Sequence, residues 1–175
     1  LNFCIDRNMV NSGMNGARTL ILQVLATSFM TGLIWFVQVV HYPLMEGWPH
    51  DQFGNWEMAH RDRTGLVVIP PMLIEGVVAV WLLFHRPRGV HPLLPIVGIM
   101  AILGIWASTF FLQVPCHLRL STGWDAQTLS FLVNSNWIRT ILWSFRMALS
   151  VGMVWQFWLA SKPALADLAS LQQDT

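Results

Sequence analysis

The chain has 175 residues, of which 54% are hydrophobic and only 11% are charged, and its formal net charge is +1. Soluble domains carry about 25% charged residues, so this composition excludes a soluble globular domain and predicts an integral membrane protein. The small net charge also excludes the basic surface of a nucleic-acid-binding protein, which leaves the lipid bilayer as the expected partner.

The first part of the chain predicts a tail followed by a membrane helix. Residues 1–16 are expected to form a disordered tail or to lie upstream of the true start. Residues 19–40 form an apolar run without a charge, long enough for the ~20 residues that cross a bilayer. Because the run is too long for the apolar region of a signal peptide, we predict an uncleaved first transmembrane helix.

A polar connection and a second apolar run come next. Residues 51–62 predict a short interfacial helix capped by Asp51, since Phe53, Trp56 and His60 fall on one helix face. Residues 65–84 predict the second transmembrane helix, which contains Glu75. The Pro70-Pro71 pair inside this run is expected to kink the helix because it removes two backbone donors.

The second half of the chain predicts a similar series of elements. Asp125 is expected to cap its interfacial segment, as Asp51 caps the first one. The predicted elements are a third transmembrane helix at 93–114, an interfacial segment at 118–136, a fourth transmembrane helix at 137–160 and a C-terminal tail at 161–175.

A repeated pattern suggests how these helices are organised. His41–Trp48 and His117–Trp124 both read H-x-x-L-x-x-G-W, at an offset of 117 − 41 = 76 residues, and Arg63-Thr64 meets Arg139-Thr140 at the same offset. Self-similarity at a fixed period indicates a duplicated structural unit. We therefore predict an all-α, four-transmembrane-helix bundle built from two duplicated hairpins with an axis along the membrane normal. The hairpin repeats cover 17–92 and 93–160.

Positive residues favour one orientation of the bundle. Those on the side of the termini are five, namely Arg7, Arg18, Arg86, Arg88 and Lys162. Those on the side of His41 and His117 are four, namely Arg61, Arg63, Arg119 and Arg139. Two of these four belong to the repeat and are discounted as structural. The positive-inside rule then predicts cytoplasmic termini and a periplasmic or extracellular histidine side.

Three histidines are candidate metal ligands. His41 and His117 end equivalent helices, so they are expected to approach each other at the axis, with His60 supplying a third nitrogen. Neutral imidazoles are common ligands, and this set suits iron, copper or zinc, or haem b with His41 and His117 as axial ligands. Gln38 and Gln113 lie one turn before the two histidines and are expected to orient them within the cofactor site. The alternative is structural, with the histidines favoured at helix C-termini by the helix dipole.

Two charged residues are predicted inside the membrane. Glu75 lies 75 − 64 = 11 residues into its run and Arg146 lies 146 − 137 = 9 residues into its own, depths of about 16 and 14 Å at 1.5 Å per residue. Charges at such depth face the interior with a partner and are usually functional, so we predict that the two form a pair. Arg139, Trp143 and Arg146 share one helix face. Glu75, Arg139 and Arg146 are therefore the candidate catalytic residues, and a structural ion pair is the alternative.

Short motifs add a resemblance to a known family. Trp56, His60-Arg61 and the run Asn136-Trp137-Ile138-Arg139, together with the four-helix layout, resemble the anthrone-oxygenase-like family of small integral membrane proteins. The resemblance implies oxidation of a hydrophobic, aromatic substrate within the membrane.

Two functions of different classes remain open from the sequence. The first is a metal- or haem-dependent oxidoreductase or oxygenase that acts on a lipophilic substrate between the hairpins. The second is a non-catalytic membrane module, a small transporter or an assembly partner, in which the same polar residues are structural.

Overall fold

The computed structural model describes the backbone of residues 7–173 and the side chains of residues 14–162. All regular structure in this part of the chain is helical. The α-helices are α1 (Arg7–Phe36), α2 (Tyr42–Met45), α3 (Phe53–Phe84), α4 (Leu93–Ser108), α5 (Val114–Leu120) and α6 (Ala126–Gln173). Two π-helical turns, Val37–His41 and Thr109–Gln113, join α1 to α2 and α4 to α5 without a break.

The helices form a four-membered bundle with two of its members extended by the π turns. Helix α1 packs against α3 and α6, and α4 packs against the same two helices, which closes the ring. Within the described residues, three segments are long and apolar enough to cross a membrane, namely Met14–Met45, Phe53–Phe84 and Leu93–Leu120. The predicted all-α bundle of four long helices is confirmed. Helix α6 is not among the three apolar segments, because it carries Arg139 and Arg146 into the bundle interior.

Three apolar clusters follow one another along the bundle axis. The first cluster lies at the histidine end and contains Tyr42, Met45, Phe53, Cys116, Leu120, Leu129 and Leu132. The middle cluster contains Met30, Ile34, Met72, Ile105 and Trp143. The third cluster lies at the end of the termini and contains Leu20, Val78, Leu82, Val90 and Met153. Their order along each helix shows that neighbouring helices run in opposite directions.

The two π turns are explained by the prolines that follow them. Pro43 and Pro115 each occupy the start of the next short helix. A proline ring clashes with the carbonyl four residues earlier, so an ordinary α-turn is disfavoured there. The chain widens instead, and the amides of Tyr42 and Val114 donate to the carbonyls of Val37 and Thr109, five residues back. Such π turns occur frequently at functional sites.

Helix α3 joins two elements that the sequence predicted as separate. The interfacial helix at 51–62 and the span at 65–84 are one helix that passes through Pro70-Pro71. The N-cap is Gln52, without a side-chain cap, rather than Asp51. Prolines are tolerated in membrane helices where neighbouring contacts hold the helix. Here Met72 and, one turn later, Glu75 and Gly76 are buried against the bundle, so packing on this face supports a continuous helix.

The ends of the chain are also more helical than the sequence predicted. Helix α1 begins at Arg7, inside the expected tail of residues 1–16, and residues 1–6 lie outside the described part. Helix α6 unites most of the segment at 118–136, the span at 137–160 and the tail as far as Gln173. The predicted cap by Asp125 is confirmed, since its Oδ1 accepts bonds from the amides of Gln127 and Thr128, at 3.0 and 3.1 Å.

The two halves share a layout but not one register. Each half has a long helix, a π turn, a proline, a short helix and then a second long helix. The π turns are 109 − 37 = 72 residues apart, whereas the repeated sequence pattern has an offset of 76. The structural landmarks are therefore displaced by about one helical turn from the sequence repeat. The duplication itself stays a prediction.

Candidate functional site

An open cavity lies at the histidine end of the bundle. We call it the histidine cavity, and its volume is about 430 Å³. Its walls come from the end of the first π turn, the loop after α2 and the first three turns of α3. Its lining residues are His41, Trp48, Asn55, Trp56, Ala59, His60, Arg63 and Thr64.

Imidazole rings occupy the inner wall of this cavity. The rings of His41 and His60 are stacked, with centroids 4.3 Å apart and planes inclined by 26°. His117 comes next, with its ring centroid 5.6 Å from that of His60. The Nδ1 of His60 is 3.0 Å from the Thr64 hydroxyl. The Nε2 of His41 is buried and has no hydrogen-bond partner among the described residues.

The structure brings the three predicted ligands together, but their arrangement does not fit a metal ion. His41 and His60 stack face to face instead of directing nitrogens at one point. Both nitrogens of His117 already contact protein groups, namely Glu57 and Tyr42. Among the described residues, no group of three or more His, Cys, Asp or Glu side chains is placed to hold a metal ion. Haem held between His41 and His117 does not fit either, because the His60 ring lies close to both.

A buried chain of polar groups leads away from the histidines. The Nδ1 of His117 is 2.5 Å from Glu57 Oε1, and its Nε2 is 3.2 Å from the Tyr42 hydroxyl. Arg139 lies behind Tyr42 and donates to the same hydroxyl at 3.3 Å. The Glu57 side chain is fully buried, and its Oε2 has no partner in the described part of the chain. Helices α2, α3, α5 and α6 thus each contribute one member of this chain.

Sequence reasoning missed Glu57, although a signal for it is present. Glu57-Met58-Ala59-His60 has E-x-x-H spacing, which places the carboxylate and the imidazole on the same face of a helix. Burial removes the water that hydrogen-bonds to a carboxylate, and this costs free energy unless protein groups replace those hydrogen bonds. The His117 contact supplies one such partner, and it joins α3 to α5.

Gln38 and Gln113 do not orient the histidines as predicted. Gln38 accepts a bond from Asn136 at 2.8 Å and donates to the Val133 carbonyl at 3.2 Å. Gln113 accepts a bond from Arg139 at 3.3 Å and donates to Ser135 at 2.8 Å. Both glutamines lie in π turns, where the wider turn directs their side chains at α6. Both glutamines tie the π turns to α6, and Gln113 also holds Arg139.

The ion pair that the sequence predicted is present in the middle of the bundle. Arg146 Nε lies 2.6 Å from Glu75 Oε1, and both side chains are 2% exposed. Glu75 also accepts bonds from the Thr27 hydroxyl at 2.7 Å and from the Trp143 indole at 3.0 Å. Arg146 donates a further bond to the Gly98 carbonyl at 2.8 Å. The group therefore connects α1, α3, α4 and α6.

The predicted catalytic residues do not line the histidine cavity. Glu75 and Arg146 lie on the far side of the middle apolar cluster, which contains Met30, Ile34 and Met72. Arg139 is buried beneath Tyr42 and bonds Asn136 as well. The structure thus separates two polar groups that the sequence treated as one site.

Comparisons of the chain with protein-family models, with curated proteins and with solved structures found no match. The resemblance to the anthrone-oxygenase-like family stays a prediction.

Proposed function

We propose that the protein is an integral membrane oxidoreductase that binds a lipophilic, weakly acidic aromatic molecule in the histidine cavity. In this proposal His41 accepts a proton from the bound molecule before its oxidation. The observation that carries the proposal is the buried Nε2 of His41, which lacks a partner among the described residues and belongs to a side chain that lines the cavity. A buried nitrogen without a partner carries a desolvation cost that a ligand proton would remove.

The walls of the cavity support an aromatic ligand. Trp48 and Trp56 both line it, and their ring centroids are 5.8 Å apart. Indole rings bind flat aromatic molecules through apolar contact and edge-to-face or offset stacking. The volume of about 430 Å³ falls within the usual range of small-molecule sites. His41 lies near the end of the apolar segment Met14–Met45, which supports entry of the ligand from the bilayer.

The charge that develops on such a ligand also has a counterpart. Arg63 lines the same cavity as His41. A guanidinium remains charged at all physiological pH values and stabilises an oxyanion by charge-assisted hydrogen bonds. Removal of a proton by His41 beside Arg63 would leave an electron-rich aromatic anion, which loses electrons more readily than the neutral molecule.

The proposal also includes an orientation of the protein in the membrane. The termini lie on the cytoplasmic side, and the histidine cavity opens towards the periplasm or the cell exterior. The excess of basic residues near the termini supports this orientation.

Binding of anthrone to the purified protein in detergent tests the proposal. Anthrone is lipophilic, and its enolate absorbs at longer wavelength than the neutral form. We expect anthrone to quench tryptophan fluorescence and to give the enolate band on binding, followed by consumption of dioxygen. His41→Phe should keep the stacking on His60 and lose the enolate band. His85→Phe is the matched control, because His85 stacks on Trp81 and lies at the opposite end. Equal enolate bands in both variants would refute the role of His41.

A non-catalytic membrane module is the second candidate. It is favoured by the mutual contacts of Glu75, Arg146, Trp143 and Thr27, which use these groups to join the helices. Under this alternative anthrone neither quenches fluorescence nor consumes dioxygen, and substitution of His41 changes only stability.

A further inference from the structure

Tyr42 lies where a buried phenol is paired with a base. It is the single tyrosine of the chain, and it is 2% exposed. Its hydroxyl lies 3.2 Å from His117 Nε2 and 3.3 Å from Arg139 Nη2. Its ring centroid is also 6.0 Å from that of His41, which lines the histidine cavity. Tyr42 therefore lies next to a residue that lines the cavity.

The direction of these hydrogen bonds can be deduced from the donors. A guanidinium has no acceptor, so Arg139 donates to the Tyr42 oxygen. In the neutral tautomer of His117 that carries its hydrogen on Nδ1, Nε2 accepts the hydroxyl hydrogen of Tyr42. In this tautomer the hydrogen on Nδ1 is donated to Glu57 Oε1. The result is a directed chain from Tyr42 through His117 to Glu57.

We propose that Tyr42 is a one-electron redox site whose proton is accepted by His117. A one-electron oxidant in the histidine cavity, such as an aromatic radical, takes an electron from Tyr42 and is reduced. The O–H bond of Tyr42 breaks, its proton forms a bond with His117 Nε2, and a neutral phenoxyl radical remains. The imidazolium of His117 is then balanced by the Glu57 carboxylate at 2.5 Å. Electron and proton leave together, so a phenol radical cation is not formed.

Two further features support this role. Burial of Tyr42 shields a radical from water and from other molecules. Glu57 Oε2 is buried and has no partner among the described residues, so the end of the chain has a free acceptor for a shared proton. The inference does not depend on the substrate proposed above, because the oxidant can be supplied from outside.

Electron paramagnetic resonance after flash oxidation tests the inference. The protein in detergent is oxidised by photogenerated tris(bipyridine)ruthenium(III) and then frozen. We expect a tyrosyl signal, which Tyr42→Phe abolishes because no other tyrosine exists in the chain. His117→Gln keeps a hydrogen-bonding side chain without a base, and it should lower the tyrosyl yield by about a hundredfold, the scale of a positioned general base. Glu57→Gln should shorten the lifetime of the radical.

His41→Phe is the matched control for this experiment. It removes the proposed substrate base but leaves the chain of Tyr42, His117 and Glu57, so the tyrosyl signal should persist. Failure of the substrate proposal can therefore be distinguished from failure of the tyrosine proposal. Circular dichroism verifies that each variant is folded. If His117→Gln does not fold, His117→Asn replaces it, and added imidazole should restore the tyrosyl yield of that variant. A tyrosyl yield in folded His117→Gln equal to that of the unsubstituted protein overturns the proposal. So does oxidation that produces tryptophan radicals only.

Discussion

Arg146 Nε and Glu75 Oε1 are 2.6 Å apart in the middle of the bundle, and each side chain is 2% exposed. Arg146 lies on α6 and Glu75 lies on α3, and both charges are buried inside the bundle. Since removal of one member leaves the other charged and unpaired, the cost of a single substitution exceeds the net value of the pair.

We therefore predict that Glu75→Gln and Arg146→Gln each destabilise the protein by roughly 3–5 kcal/mol, the range for a broken buried pair. The double variant should recover much of this loss because both charges are gone. Denaturation in detergent micelles, followed by circular dichroism, measures the four free energies of unfolding. Simple addition of the two losses in the double variant would show that the residues are not energetic partners.

Glycine positions give a prediction about close packing. A Cβ on Gly54 would lie 2.8 Å from the Ser121 carbonyl oxygen, whereas a Cβ on Gly32 meets nothing within 4 Å. Because a backbone oxygen cannot easily move, Gly54→Ala should destabilise the contact between α3 and the end of α5 by about 1–3 kcal/mol.

Gly32→Ala is the matched control, and it should stabilise α1 by about 0.5–1 kcal/mol through reduced entropy of the unfolded chain. Thermal unfolding of both variants measures the difference. A Gly54→Ala variant as stable as Gly32→Ala would contradict the close approach at Ser121.

The cap of α6 predicts a dependence on pH. The pKa of Asp125 is lowered from its ordinary value of 3.8, mainly because the amide of Thr128 donates to the carboxylate, with further contributions from the Thr128 hydroxyl and Arg119. A lowered pKa means that the ionised form stabilises the folded state. The contribution is complete above the ordinary pKa and is lost as the pH falls through the lower folded value.

Asp125→Asn keeps a capping side chain without the ionisable group. The acid loss of stability should therefore be smaller in this variant, as measured by circular dichroism between neutral pH and pH about 2. Identical acid profiles for the two proteins would refute the assignment.

The orientation of the bundle is a fourth prediction. A reporter fused after Thr175 should be cytoplasmic, and a reporter inserted after Gly123, in the turn before α6, should be external. Accessibility to a membrane-impermeant label measures each position. The opposite pattern would place the histidine cavity on the cytoplasmic side.

Sequence patterns predicted the bundle well where a single physical property decides the outcome. Long apolar runs identified the spans, and the matched depths of Glu75 and Arg146 identified partners on different helices. His41 and His117 were expected to meet at an axis because of the repeated pattern, whereas the ring contacts in the structure run from His41 to His60 and from His60 to His117.

The remaining features depend on packing that one sequence does not reveal. Pro70-Pro71 was expected to kink the second transmembrane helix, and α3 runs through the pair without a break. The roles of Gln38 and Gln113 could not be predicted from α-helical spacing, because each lies in a π turn that changes the direction of its side chain. The contact of Glu57 with His117 joins residues 60 positions apart, so it required the fold.

The π turns carry a consequence for the contact between Tyr42 and His117. Each turn places one extra residue in a helix, and a shift of one residue corresponds to a rotation of about 100° in an α-helix. Tyr42 follows the first turn directly, and His117 follows the second by one helical turn. Tyr42 and His117 therefore face each other only while α2 and α5 both keep the rotation about their axes that the π turns set. Loss of either extra residue would turn one ring away from the other and leave every transmembrane segment folded.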